Sequence, residues 1–264
     1  MSGELIKPIK IADDLFWVGV NSSSPAHLVT TDEGLVLIDT ASHTNVDILI
    51  SNIESLGFDV REVRHIIHSH GHFDHVGATT RIVKLSGAKT YIGARDADAV
   101  MGKNKLLWAG LPLPENENDF YFVPDVLLHD GDEVKIGDHT FRFLETPGHT
   151  LGVVSIFWNA HYKGREYPAG MFGGAGQAAI SDEHLKRDGL PYTLREDYVR
   201  SVERIIGEPV MLHIGNHPSN NRHNDKAARL TEDYNPFIEE NTWVPFLERC
   251  RDEVATKYGI ELRK

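Results

Sequence analysis

The chain has 264 residues, 41% of them hydrophobic and 25% charged, and carries a formal charge of −12. That size and balance suit a folded domain with a substantial core, and no apolar run approaches the length of a membrane span, so a disordered or membrane class is excluded. The negative charge repels a phosphate backbone and no basic run offsets it, which leaves nucleic acid out as a partner.

The opening MSGELIKPIKIADDLFWVGV lacks the basic-then-apolar layout of a secretory signal, so a cytoplasmic location is expected. LFWVGV (15–20), AHLVTT (26–31) and LVLIDT (35–40) are short β-branched or apolar runs separated by turn chemistry, and read as strands. NVDILISNIESL (45–56) has helical spacing and stops near Gly57. VRHIIHS (63–69) reads as a buried strand, VGATTRIVKLSG (76–87) as a helix and KTYIGA (89–94) as a further strand. Residues 102–125 break this rhythm with Pro, Asn and Gly around Trp108, Leu111, Phe120, Tyr121 and Phe122. So long a connection reads as a flap over a cleft or as an irregular segment packed on the core.

Strands resume across 125–150, with GD pairs marking turns, and continue at VVSIFW (153–158) and YPAGMFGG (167–174). A helix is predicted near 194–206, a short strand at 210–214 and a long amphipathic helix over about 236–258. Cys250 lies on that last helix as a packed thiol, and a single cysteine leaves no internal disulfide. This order predicts an α/β sandwich of two mostly antiparallel sheets face to face with helices outside, in a single domain over 1–264.

Residues 68–75, HSHGHFDH, hold four histidines and an aspartate at the end of a predicted strand. His70 and His72 are two apart and can point the same way, while Asp74 and His75 face a second point where a helix begins. Imidazoles and a carboxylate are the ligand set of zinc and its neighbours. One ion cannot comfortably take all four groups from so short a segment, but two ions about 3.5–4 Å apart can. His68 lies deeper on the strand and reads as a core or supporting histidine. His149, in TPGHT, and His217, in HIGNHPSNN, each follow a predicted strand, so three strand ends can converge on one rim. Asp39, ending LVLID, reads equally as a support for an imidazole or as a turn residue.

HSHGHFDHVGA contains the His-x-His-x-Asp-His signature of the metallo-β-lactamase superfamily, with LVLIDT, TPGHTLGVVS and the HP at 217–218 in the family's order. The chain resembles that superfamily over nearly its whole length. It looks most like the third subclass of class B β-lactamases, through His75 directly after Asp74, the YPAGMFGGAG region and the tail from KAARL to CRDEV. The resemblance implies a four-layer αββα fold and two Zn2+ ions per chain, the first held by His70, His72 and His149 and the second by Asp74, His75 and His217. It implies a hydrolase in which a hydroxide shared by the two ions attacks a carbonyl of a small-molecule substrate, with Asp74 as the catalytic carboxylate.

Many relatives carry a metal-bridging aspartate on the strand that here reads MFGGAGQAAI, where no carboxylate is present. Asp182 comes several residues late and is expected to cap a helix with Glu183 behind it. Ser219, Asn220 and Asn221, and with them Arg222 and His223, are candidates to bind a substrate carboxylate or are plain turn residues. β-Lactams are the first expected substrates. A cytosolic lactonase or thioesterase on the same site, or a metal-holding binding protein, are the alternatives. Oligomeric state is not legible in the chain.

Overall fold

The computed structural model describes residues 4–238 and 241–262. The first sheet follows chain order: β1 (Ile9–Lys10), β2 (Leu15–Trp17), β3 (His27–Thr31), β4 (Gly34–Ile38), β5 (Val63–Ile67), β6 (Lys89–Gly93) and β7 (Val126–Leu128). The second contains β8 (Glu133–Ile136), β9 (His139–Glu145), β10 (Val154–Tyr162), β11 (Arg165–Met171) and β12 (Leu212–His213). Its spatial order is β12–β11–β10–β9–β8.

Alternation along the strands builds the layers. Val36 and Ile38 of β4 enter a buried cluster with Val29, Trp17 and, from the second sheet, Phe141, Ile156 and Trp158. Leu35 and Leu37 point the other way, against Leu49 and Ile53 of α1 (Val46–Ser55). Two residues of opposite parity thus serve two layers, as a strand buried on both faces requires. α2 (Phe73–Val76) and α3 (Thr79–Ser86) lie between β5 and β6, and α4 (Ala97–Val100) follows β6. α5 (Asp182–Asp188), α6 (Leu194–Ile205), α7 (His223–Arg229) and α8 (Trp243–Tyr258) complete the helices. Phe157 and Leu144 of the second sheet pack against Tyr198 and Val202 of α6 and Trp243 and Leu247 of α8. The result is four layers, αββα.

Antiparallel pairs are in the majority, as expected, both sheets also hold parallel pairs, and the structure departs from the expected pattern at the start of the last helix. β4, β5, β6 and β7 pair in parallel, so the first sheet is mixed. Helical crossovers through α1 and α3 return each strand in the same direction. The last helix begins at Trp243, not near 236. Asn235 donates to the Ile11 carbonyl and accepts from the Phe237 backbone, and Phe237 is buried in the inter-sheet core, so tertiary contacts take this stretch out of the helix. Residues 239 and 240 of that expected helix lie outside the described residues. Cys250 is packed in α8, where burial pushes its thiol up to about 11. No helix among the described residues is long and apolar enough to cross a membrane.

Segment 102–125 forms two 3-10 turns, Leu106–Trp108 and Glu117–Phe120. Trp108 is buried, its ring edge-on to Phe120 at 5.6 Å, and its Nε1 donates to the Tyr121 hydroxyl at 3.1 Å.

Three histidines outside the 68–75 cluster are buried beside tryptophans. His27 and His223 flank Trp17 at 5.1 and 4.7 Å, and His213 lies 5.2 Å from Trp243. Burial is the main force holding them neutral, with His27 and His213 lowered to about 3 and His223 to about 4. Their folded values lie below the ordinary imidazole value of about 6.5, so as pH falls the unfolded chain takes protons first. Stability is therefore full above about pH 6.5 and drains away as pH falls toward 3, by up to about 1.4 kcal/mol per pH unit per histidine. His213→Phe keeps a ring against Trp243 and removes one proton. Urea unfolding of chelator-treated protein between pH 4 and 7 is expected to show a shallower acid slope in this variant.

Candidate metal centre

β5 ends at Ile67 and its chain turns through 68–71 into α2, whose N-cap position is His72. β4, the neighbouring strand, ends at Ile38, and Asp39 follows in the left-handed region at φ 61°. That conformation is costly for a residue with a Cβ, and aspartate is among the few types that adopt it readily. It aims the carboxylate at the turn. Oδ1 accepts from the Ser69 backbone N–H at 2.8 Å, and Oδ2 accepts from the Ser69 hydroxyl at 2.8 Å and from His75 Nδ1 at 2.7 Å. Asp39 therefore supports an imidazole, and its turn geometry is how it reaches it.

The structure brings the six candidate ligands together as two adjoining triads. His70, His72 and His149 form one, and Asp74, His75 and His217 the other, with the ligand atoms within each lying inside 4.8 Å of one another. His72 Nδ1 is 3.0 Å from His149 Nε2, and His75 Nε2 is 3.2 Å from His217 Nε2. Asp74 Oδ2 lies 3.5 Å from His75 Nε2 and 3.6 Å from His217 Nε2.

Hydrogen bonds at the outer nitrogens assign the tautomers. His149 Nδ1 donates to the Gly176 carbonyl at 2.5 Å, His217 Nδ1 to the Ser22 carbonyl at 2.9 Å and His75 Nδ1 to Asp39. The Ser69 hydroxyl, having given its proton to Asp39, accepts from His70 Nδ1 at 3.1 Å. Each of these Nε2 atoms thus turns a lone pair inward, and that of His70 is buried with no hydrogen-bond partner among the described residues. Lone pairs of His75 and His217 face each other, a repulsion that a cation between them relieves. Outer-nitrogen donation of this kind is the arrangement that orients metal-ligating histidines. The donor set fits two zinc-like ions.

Electrostatics agree with that fit at four of the five imidazoles. Burial holds His70 and His72 well below the ordinary imidazole range, and the surrounding histidines add to it. Burial takes His149 down to about 4 and also lowers His217. His75 goes the other way, because Asp74 and Asp39 together outweigh the burial that opposes its charge. Neutral imidazole is the ligating form.

A cleft of about 200 Å³ opens over both triads. Leu106, Ala109, Leu151 and Leu190 form apolar wall, and His184 and Arg187 of α5 bring cationic or polar groups into it. These two were not singled out in the sequence, since neither sits in a motif. Asp96 is a third omission. Its carboxylate accepts from Gly71 N–H at 2.8 Å, Thr150 Oγ1 at 2.6 Å and Gly152 N–H at 2.7 Å, joining the loop of His70 to that of His149.

Residues 219–221 are not brought to the cleft. Ser219 is exposed, Asn220 donates to Asn216, and Asn221 donates to the His213 carbonyl on the side away from the triads. Arg222 pairs with Asp225, and His223 is buried against Trp17. His68 is a core residue within 3.2 Å of the Thr79 hydroxyl. Asp182 is not the helix cap either. Ser181 caps α5, and Asp182 pairs with Arg195.

Comparison with known proteins gives matches of two kinds. Residues 20–161 match the family described as Metallo-beta-lactamase superfamily. A hydroxyacylglutathione hydrolase of Trichodesmium erythraeum is 28% identical over 51% of this chain and 40% of its own. The chain spans less than half the length of the first curated relatives it matches. Among solved structures, the subclass B3 metallo-beta-lactamase BJP-1 of Bradyrhizobium japonicum superposes with a TM-score of 0.84 at 23% identity, over 97% of this chain and 94% of its own. The class B3 di-zinc metallo-beta-lactamase LRA-12 from an Alaskan soil metagenome gives 0.80 at 21% identity, over 98% and 96%. At such identities the likeness shows the fold.

Two substitutions test the supports. Asp39→Asn tolerates the left-handed backbone but weakens the acceptor behind His75, and is expected to lower zinc affinity about 10–100-fold in a chelator competition. Asp96→Ala strands three buried donors and is expected to cost about 3 kcal/mol or more in urea unfolding, since one unsatisfied buried group costs about 1–3 kcal/mol.

Proposed function

The chain belongs to the metallo-beta-lactamase superfamily, and on that premise we propose that it is a dinuclear zinc hydrolase of small carbonyl substrates, with β-lactams as its first candidates. The observation that carries this reading is the pair of triads, five imidazoles and one carboxylate, with inward lone pairs fixed from behind. His70, His72 and His149 would hold one ion, and Asp74, His75 and His217 the other. When bound, such ions supply Lewis-acid activation of water and of a carbonyl oxygen at neutral pH.

The chain's own groups do the rest. Asp74 lines the cleft as the carboxylate of the second triad and is partly open to solvent, where it can take a proton from an attacking water. His184 and Arg187, the latter paired with Asp188, also line the cleft and suit a substrate carboxylate. Leu106 and Ala109, from segment 102–125, with Leu151 cover the apolar side and exclude water, which favours reading that segment as the flap of a single domain. At about 200 Å³ the cleft falls below the usual range for drug-sized ligands, about 300–1,000 Å³, which favours a small substrate.

A lactonase or thioesterase is the second reading, favoured by the partial likeness to hydroxyacylglutathione hydrolases. The run Phe172–Gly176 carries no carboxylate to join the two ions, which weighs toward the first reading. A metal-holding binding protein is the third.

Nitrocefin, a homoserine lactone and a glutathione thioester, assayed side by side on protein of known zinc content, separate the three. Nitrocefin turnover is expected, reduced at least 100-fold by chelator and by His72→Ala. Turnover of the lactone or thioester alone would move the assignment to the second reading, and two bound zinc ions without turnover to the third.

A further inference from the structure

We propose that a second divalent-cation site lies at the opposite end of the sandwich, built from Asp14, His139 and His161. Asp14 sits in the turn between β1 and β2, His139 opens β9 and His161 comes near the end of β10. β9 then runs six residue steps toward His149, which puts this cluster about 20 Å from the two triads at the usual strand rise. It shares no residue with them.

Three ligand atoms lie within 4.8 Å of one another here. His139 Nε2 and His161 Nδ1 both face Asp14 Oδ2, at 2.9 and 2.6 Å. Behind each imidazole stands another carboxylate. His139 Nδ1 is 3.0 Å from Asp138 Oδ1, and His161 Nε2 is 3.8 Å from Glu166 Oε1. Carboxylate, imidazole, cation is the order in which ligating histidines are held.

A hydrogen-bonded clasp alone leaves one feature unexplained. Asp14 is only 6% exposed, and its Oδ2 receives the backbone N–H of His161 at 2.8 Å as well as both rings, while Oδ1 is buried with no hydrogen-bond partner among the described residues. Three carboxylates surround these two imidazoles, and Asp14 and Asp138 outweigh burial to raise the proton affinity of His139, so a proton and a dication are alternative occupants of the cluster. An open cleft of about 370 Å³ is lined by His139, His161, Asp138 and Glu166 but not by Asp14, so it reaches the imidazole side of the cluster. Two nitrogens, one carboxylate oxygen and water are ligands that zinc accepts. The ion would tie a turn of the first sheet to two strands of the second.

The test is a zinc count on the full chain, stripped with chelator and then dialysed against buffered zinc. Wild-type protein is expected to bind one equivalent more than His161→Gln, whatever number the two triads hold. Asp138→Asn is expected to weaken that one equivalent about 10–100-fold. In the wild-type chain itself, the imidazole nitrogen resonances of His139 and His161 are expected to shift on adding zinc, a readout that needs no variant to fold. Equal counts and affinities in wild type and His161→Gln, or resonances unmoved by zinc, would overturn the proposal and leave a hydrogen-bonded clasp. Because the count is a difference between two proteins, a rim centre that binds fewer ions than proposed above would show separately in the remaining equivalents.

Discussion

Asp96 accepts hydrogen bonds from the loop that carries His70 and from the loop that carries His149, and so fixes the distance between segments far apart in the chain. Burial pushes its carboxyl upward despite three donors, because desolvation of a fully enclosed charge is larger than what those bonds return. The fold keeps this charge where it is most expensive and where it is most useful. Two backbone N–H groups at the bottom of the cleft would otherwise be stranded, and the histidines above them would lose their common frame of reference.

Close backbone approach is the companion constraint. A Cβ on Gly93 would stand 1.9 Å from the Gly152 carbonyl oxygen, and one on Gly152 would stand 2.4 Å from the Asp96 nitrogen. On the far side of the site, a Cβ on Gly173 would lie 2.1 Å from the Val154 carbonyl oxygen, and one on Gly174 would lie 2.9 Å from His149 Cβ. The stretch after β11 therefore has no space for a side chain on the wall against β10. The lack of a carboxylate there follows from how tightly the second sheet brings its chain past His149. Inserting an acid at Gly173 would first have to move β10.

What was legible in the sequence was whatever the chain states locally. Short apolar and β-branched runs placed β2 to β6, helical spacing placed α1, and a dense histidine motif placed four site residues within six positions. His149 and His217 could be suggested only as residues after strand ends, and their convergence had to wait for coordinates. Asp96 gave no signal, because an aspartate after a strand is ordinary until two glycine amides arrive from elsewhere. The residues 219–221 looked suited to a substrate because they follow His217, yet the turn there directs Asn221 back to β12. The start of α8 was misplaced for a similar reason, since Asn235 and Phe237 answer to the inter-sheet core and not to their own helical periodicity.

β9 and β10 join the two ends of the molecule. Each is paired on both sides, β9 with β8 and β10, β10 with β9 and β11, so neither is an edge. Their middles carry Phe141, Phe143, Ile156 and Trp158 into the inter-sheet core, while mid-strand polar groups such as Arg142 face the other side and pair with Glu208. An apolar middle cannot hold ligands, and strand ends can, because the ladder stops there and side chains gain access to water and to loops. The rim triads draw on loops that fold back over the sheet and need Asp39 and Asp96 to hold them. The far cluster draws its histidines from the strands themselves, which are already rigid. Loss of a cation at the far end would therefore loosen the contact between the sheets and lower stability, while leaving the geometry over Asp74 in place.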